Sequence, residues 1–202
     1  MFSGAQVALY PMTDDFVRVI LGSLSALDPY RSAFRIETDD ISTLLVGPPE
    51  MLFPAMRDLH VAASRDGMHC VLSATVSRGC PGEPDDPICT PIQGAGNHLP
   101  LVERVLQARA AVEGAPRMGQ QVAAQFSLYP LGGVEHMDEI YGCIDFLKTS
   151  GTFERSKKFC TELRGDAGPV FAAVGEAFLR FGSPEGHVAL DLTVSANSPS
   201  SH

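Results

Sequence analysis

Long apolar runs are missing from this chain. No stretch of 18 apolar residues occurs, so nothing in it reads as a transmembrane helix. Cations are scarce as well: 15 Lys and Arg stand against 24 Asp and Glu, for a net charge of −9. Binding to a phosphate backbone needs clustered Lys and Arg, so a nucleic-acid partner is not expected. The first residues, Met1-Phe2-Ser3-Gly4, lack the basic stretch and long apolar segment of a secretion signal. No glycine-rich loop opens a helix after a strand, as a phosphate or dinucleotide site would require. Zinc-type cysteine spacing is absent too. Cys80 and Cys89 have eight residues between them in a proline-rich loop, with His98 further on, whereas zinc pairs sit roughly two to four apart. The remaining cysteines, Cys70, Cys143 and Cys160, lie inside apolar patterns and read as small core residues. Free thiols in a reducing cytoplasm are therefore expected, with no metal and no cofactor.

What the chain does have is a repeat. Ala5-Gln6-Val7-Ala8-Leu9-Tyr10-Pro11-Met12 returns as Ala124-Gln125-Phe126-Ser127-Leu128-Tyr129-Pro130-Leu131. His69-Cys70-Val71-Leu72-Ser73-Ala74-Thr75-Val76-Ser77 returns as His187-Val188-Ala189-Leu190-Asp191-Leu192-Thr193-Val194-Ser195. The offset stays at about 118–120 residues throughout, the mark of a duplicated module. Hydrophobic content of 45% suits a globular chain. Modules of this size bury limited surface alone, so they should pack on each other or on a second chain.

Each copy reads as strand, helix, strand, strand, helix, strand. In the first, residues 5–10 form a strand that stops at Pro11. Thr13 offers an N-cap, and Phe16, Val19, Ile20, Leu24 and Leu27 give an apolar helix face that Asp28-Pro29 ends. Residues 33–38 and 41–46 read as a hairpin around Asp39-Asp40. Leu52, Met56, Leu59 and Ala63 mark a second helix, and residues 68–77 a last strand. In the second copy the strands are 122–129, 152–157, 160–164 and 186–195. Its first helix shows Met137, Ile140, Tyr141, Ile144 and Leu147 on one face, its second Val170, Phe171, Val174, Ala177, Phe178 and Phe181. The fold class is α+β, a tandem duplication of a ferredoxin-like βαββαβ module with antiparallel sheets and helices on one face. Residues 1–82 and 122–202 are the modules. Residues 83–121 are a Pro/Gly-rich connector with a short helix around Leu99, Val102, Val105 and Leu106, ending near Gly114.

Both helices of such a module cover one sheet face. Alternation then leaves Ser73, Thr75 and Ser77, and in the second copy Asp191, Thr193 and Ser195, on the other. Gln6, Ala8 and Tyr10 share that open side, as do Gln125, Ser127 and Tyr129. A stripe of small polar residues beside a tyrosine could accept a flat polar heterocycle. A half-solvated sheet accounts for the same alternation. Catalytic groupings are poor. The turn Ser77-Arg78-Gly79-Cys80-Pro81-Gly82 suggests a reactive thiol with Arg78 as an anion contact, but its repeat partner has Ser198 in place of the cysteine. His69 and His187 open equivalent strands and are expected to bond locally rather than act as bases. Asp39, Asp40 and Asp166 fall in turns, and nothing in their spacing brings them together.

The two Leu-Tyr-Pro strand ends, Tyr10-Pro11-Met12-Thr13-Asp14-Asp15-Phe16, Asp40-Ile41-Ser42-Thr43-Leu44, Gly79-Cys80-Pro81-Gly82 and Ser195-Ala196-Asn197-Ser198-Pro199 carry a family likeness. With them in view, the chain resembles the YkoF family of thiamin and hydroxymethylpyrimidine binding proteins, over roughly residues 5–82 and 122–199. The resemblance implies two ferredoxin-like modules per chain, a homodimer, and one ligand pocket per module. It implies non-catalytic binding of thiamin or its hydroxymethylpyrimidine part in vitamin uptake or salvage, with a possible link to an uptake system. The positions it carries over are Leu9, Tyr10, Ser42 and Thr43 in the first copy and Leu128, Tyr129 and Thr161 in the second, with Ser73 and Asp191 at equivalent open-face sites. Leu9 and Leu128 would contribute main-chain atoms, and Tyr10, Tyr129 or Asp191 could meet the thiazolium ring. The copies differ at Ser42 against Cys160 and Ser73 against Asp191, so unequal pockets are expected. Competing readings are a regulatory sensor of another small molecule such as an amino acid, an enzyme using Cys80, and a scaffold whose open faces only dimerise.

Overall fold

In β1 (Ser3–Pro11) Ala5 and Val7 are buried while Gln6 and Tyr10 face solvent, the period-two pattern of a strand covered on one side. The computed structural model describes residues 3–79, 99–131, 137–182 and 187–200. After β1 come α1 (Phe16–Ser23), β2 (Arg35–Thr38), β3 (Thr43–Val46), α2 (Pro49–Ala63) and β4 (Cys70–Arg78). A connecting helix, α3 (Leu101–Glu113), leads to the second copy. That copy consists of β5 (Gln121–Leu131), α4 (Met137–Thr149), β6 (Phe153–Ser156), β7 (Thr161–Asp166), α5 (Ala167–Arg180) and β8 (His187–Ala196). The chain is thus a duplicated ferredoxin-like α+β module.

The two copies share one sheet, in the order β2-β3-β1-β4-β8-β5-β7-β6. β4 and β8 pair antiparallel from Cys70↔Ala196 to Arg78↔Val188, so Ala74 opposite Leu192 marks a local two-fold axis. Two reciprocal bonds flank it: His69 Nε2 lies 3.2 Å from Ser195 Oγ, and His187 Nε2 lies 2.8 Å from Ser77 Oγ. These histidines pin the central strands of the two copies to each other rather than bonding locally. Between them Thr75 Oγ1 donates to Asp191 Oδ1 at 3.1 Å. The polar stripes of both copies therefore merge into one surface, while Leu72, Ala74, Val76, Leu190, Leu192 and Val194 are buried opposite.

On the buried side the core runs unbroken through both copies. α2 and α5 meet over the seam, with the Phe53 and Phe178 rings 5.5 Å apart. Arg78 is buried there, donating to the carbonyls of Phe178 (2.8 Å) and Phe181 (3.0 Å), the free acceptors at the end of α5. It caps a helix and is not available as the anion contact its turn suggested. Burial lowers its pKa to about 10. Arg104 of α3 plays a similar part, donating to Leu99 O (3.0 Å), to both oxygens of Glu139 on α4, and to Arg180 O. Asp166 accepts from the N–H groups of Gly168 (2.9 Å), Met118 (2.9 Å) and Gly119 (2.7 Å), capping α5 and fastening the connector. Partial burial opposes its charge, but these bonds prevail and hold its carboxyl below the usual range. A Cβ at Gly168 would lie 1.6 Å from Pro116 O, so only glycine admits this approach.

Several expectations are corrected. α1 begins at Phe16 with Asp15 in the capping position and no side-chain cap bond, rather than being capped by Thr13. It does not stop at Asp28-Pro29 but tightens into a 3₁₀ stretch, Leu24–Tyr30, with Pro29 inside. Tyr30 Oη then donates to Asp58 on α2 at 2.6 Å; burial first, and that carboxylate second, raise the phenol to about 12. The α4 face is rotated from the predicted one: Gly142, Cys143, Phe146 and Leu147 are buried, whereas Met137 and Tyr141 are exposed. Leu101 of α3 packs where a Cβ of Gly142 would stand, drawing that side of α4 inward. Cys160 lies in a turn and is half-buried, not a core residue. β5 runs past Tyr129 to Leu131; Pro11 and Pro130 sit on strand ends that have one neighbour only, where a residue without an N–H is tolerated. Cys80 and Cys89 lie outside the described residues.

His60, fully buried on α2, sits 3.2 Å from Cys70 O through Nε2 and leaves Nδ1 without a partner. Burial lowers its pKa to about 4. A proton taken up on unfolding is thus refused by the folded state. Stability from this group is complete above the unfolded pKa of about 6.5 and declines toward pH 4, by about 3 kcal/mol. Chemical denaturation of His60→Leu at pH 7 and pH 4.5 is expected to show a smaller loss on acidification than the parent chain.

Candidate functional site

The outer ladders stop early. β1 pairs with β3 only as far as Val7↔Thr43, yet β1 continues to Pro11 beside β4. β5 pairs with β7 only as far as Phe126↔Thr161 and continues to Leu131 beside β8. Beyond those points each central strand has lost its outer neighbour, and alternate main-chain donors and acceptors are left unpaired on that side. The hairpin turn bends away instead, closed by Asp39 N–H to Ser42 O (3.0 Å) in one copy and Lys157 N–H to Cys160 O (2.8 Å) in the other. A cleft opens between strand, turn and first helix in both copies.

The first cleft has a volume of about 100 Å³ and is walled by Ala8, Leu9, Ile20, Leu24 and the turn 39–42. The second is larger, about 330 Å³, between Ser127, Leu128 and Tyr129, the α4 side chains Ile140, Cys143 and Ile144, and the turn 157–160. The latter volume is in the range of small-molecule sites. Matched glutamines fix the turns: Gln6 Nε2 donates to Ser42 Oγ at 2.6 Å, and Gln125 Oε1 accepts from Lys157 Nζ at 3.2 Å. Ser127 Oγ adds a bond to Phe159 O (2.7 Å) that Ala8 cannot make. In the first turn Asp39 accepts from Ile41 and Ser42 N–H, both at 2.8 Å, which lowers its pKa. Beside the second turn, Glu162 holds Arg155 (2.8 Å) and Lys157 (3.2 Å). Burial opposes its charge, but these cations outweigh that and keep it ionised to lower pH.

The nine residues singled out from the sequence fall into separate places. Leu9, Ser42 and Thr43 line the first cleft, and Leu128, Tyr129 and Thr161 the second. Leu9 and Leu128 pack partly on the core, leaving main-chain groups for the clefts. Ser73 and Asp191 do not join them; they border a depression of about 170 Å³ on the open face, with Thr75, Gln125 and Thr193. Tyr10 is exposed and lines neither. So space for a ligand exists where the outer ladders end as well as on the helix-free face, where a heterocycle was expected. Sequence reasoning missed the helix walls and the turn tips. Ile41 and Phe159, 80% and 89% exposed, occupy equivalent tips, and a large apolar residue at the same turn position of both copies was the available signal. A further cavity, about 260 Å³, lies between α2, α3 and α5. Among the described residues, no three His, Cys, Asp or Glu side chains converge as a metal site requires.

The model of the YKOF-related family matches residues 2–83 and 121–201, that is, both copies and not the connector. The chain belongs to this family. A Bacillus subtilis (strain 168) member, named "Putative HMP/thiamine-binding protein YkoF", is 33% identical over 198 residues, covering 98% of this chain and 92% of that protein. The family match and the repeat of the strand-end cleft divide the chain in the same place.

The described cysteines differ in burial. Burial raises Cys70 to about 11 and Cys143 to about 12, whereas Cys160 borders the second cleft and is partly accessible. Brief iodoacetamide treatment of the folded chain is expected to alkylate the peptide carrying Cys160. By mass spectrometry those with Cys70 and Cys143 should stay unmodified until denaturant is added.

Proposed function

We propose that this chain binds thiamin or its hydroxymethylpyrimidine part without transforming it, one molecule in each strand-end cleft. The observation that carries the reading is the recurrence of one cleft, built from equivalent residues, in both copies of a chain whose 33%-identical relative bears an HMP/thiamine-binding name. An aminopyrimidine offers donors and acceptors at fixed separation. Unpaired main-chain groups at Leu9 and Leu128, with the hydroxyls of Ser42, Thr43 and Thr161, can answer them. Apolar walls from Ile20 and Leu24, or Ile140 and Ile144, receive the ring faces. The binding name of the relative favours carriage or sensing in vitamin uptake or salvage over catalysis.

A homodimer belongs to the same proposal. Its support is the apolar surface on both first helices: Phe16, Val17 and Leu21 on α1, Met137 and Tyr141 on α4, all exposed in the single chain. Sedimentation velocity at micromolar protein is expected to give twice the 21.6 kDa chain mass.

Calorimetric titration with thiamin, and separately with hydroxymethylpyrimidine, is expected to show saturable heat. Ile144→Trp, which projects an indole into the second cleft, should halve the number of sites while leaving the melting temperature within a few degrees. No heat from either compound at millimolar concentration would end the proposal.

A further inference from the structure

The charged residues lining the two clefts are opposite in sign. Those of the first are Asp39 and Asp40; those of the second are Lys157 and Lys158. The positions are equivalent. Both turns close with the same main-chain bond, and the threonines that follow, Thr43 and Thr161, stand opposite Val7 and Phe126, which match in the repeat. The scaffold is kept and the charge reversed.

Within each pair one residue is committed to the turn. Asp39 accepts from the N–H groups of Ile41 and Ser42, and Lys157 is shared between Gln125 and Glu162. Asp40 and Lys158 form no ion pair among the described residues, so their fields reach whatever enters the cleft beside them. The second cleft is also the roomier, about 330 Å³ against 100 Å³.

We infer that the two clefts sort ligands by charge: the second takes a phosphate ester of the heterocyclic alcohol, and the first takes the uncharged or cationic compound. This rests on the reading that both clefts hold a thiamin-type heterocycle. A phosphoryl group at the mouth of the second cleft meets Lys158 and, in part, Lys157; at the first it meets two carboxylates. One exposed lysine–phosphate pair changes affinity by up to about fivefold, and a facing carboxylate by a similar factor in the opposite direction. Contacts of this kind are screened, so the discrimination weakens as salt rises.

The test is calorimetry on the full chain with thiamin and with thiamin monophosphate at low ionic strength. Thiamin should fill both clefts. The monophosphate should bind one site per chain, about fivefold more tightly than thiamin binds there, with the advantage shrinking in 0.5 M salt. Lys158→Asp should remove that advantage. Asp40→Lys should create a second monophosphate site, a gain that misfolding cannot imitate. If thiamin binds but the monophosphate shows no preference, or if Lys158→Asp leaves the ratio unchanged, charge sorting is overturned while heterocycle binding stands. If neither compound gives heat, the underlying reading fails and this inference fails with it.

Discussion

Antiparallel pairing between β4 and β8 is the constraint from which the rest of the molecule follows. In a lone βαββαβ module the last strand lies at the rim of the sheet with one ladder unsatisfied. Here two such rims satisfy each other, residue by residue from Cys70↔Ala196 to Arg78↔Val188. That register places Leu72, Ala74, Val76 and their counterparts Leu190, Leu192 and Val194 on one side. A slip of one residue would turn a whole row of them to solvent. The histidine–serine pairs on either side of the axis hold the register, and α2 and α5 meet over the seam because both halves present their apolar side in the same direction.

The seam also separates the clefts. Each opens between its own central strand, hairpin turn and first helix, on opposite sides of the two-fold axis, and no residue lines both. The described part of the connector is held by Arg104 to Glu139 and by Asp166 to Met118 and Gly119. Both turns lie at the ends of their hairpins, with Ile41 and Phe159 exposed at the tips. This is a physical setting in which a duplicated site can diverge in charge while its frame is preserved.

The repeat, the strand alternation and the second helix of each copy were legible in the sequence because burial and periodicity coincide there. They part company on α1 and α4. Phe16 and Tyr141 are apolar at helical spacing yet stay exposed, and Gly142 is buried because Leu101, a residue of the connector, comes to rest on it. Spacing reports which face is apolar, not what covers it. The candidate clefts were legible in part. Leu9, Ser42, Thr43, Leu128, Tyr129 and Thr161 do border clefts, whereas Ser73 and Asp191 follow the alternation onto the open face. What sequence could not give is where a ladder ends. The loss of pairing after Val7 and Phe126 is a property of two strands together, and the turn residues beside it escaped notice because Asp39-Asp40-Ile41 and Lys157-Lys158-Phe159 share no side-chain chemistry at the charged positions.

The outermost strands, β2 and β6, hold four residues each, and β6 is interrupted by a bulge between Phe153 and Arg155. Their exposed positions include Arg35, Glu37, Glu154 and Arg155. Short, charged and irregular termini of this kind resist recruitment of further chains into a growing β-ribbon. Filament formation by end-on addition of strands is thereby discouraged.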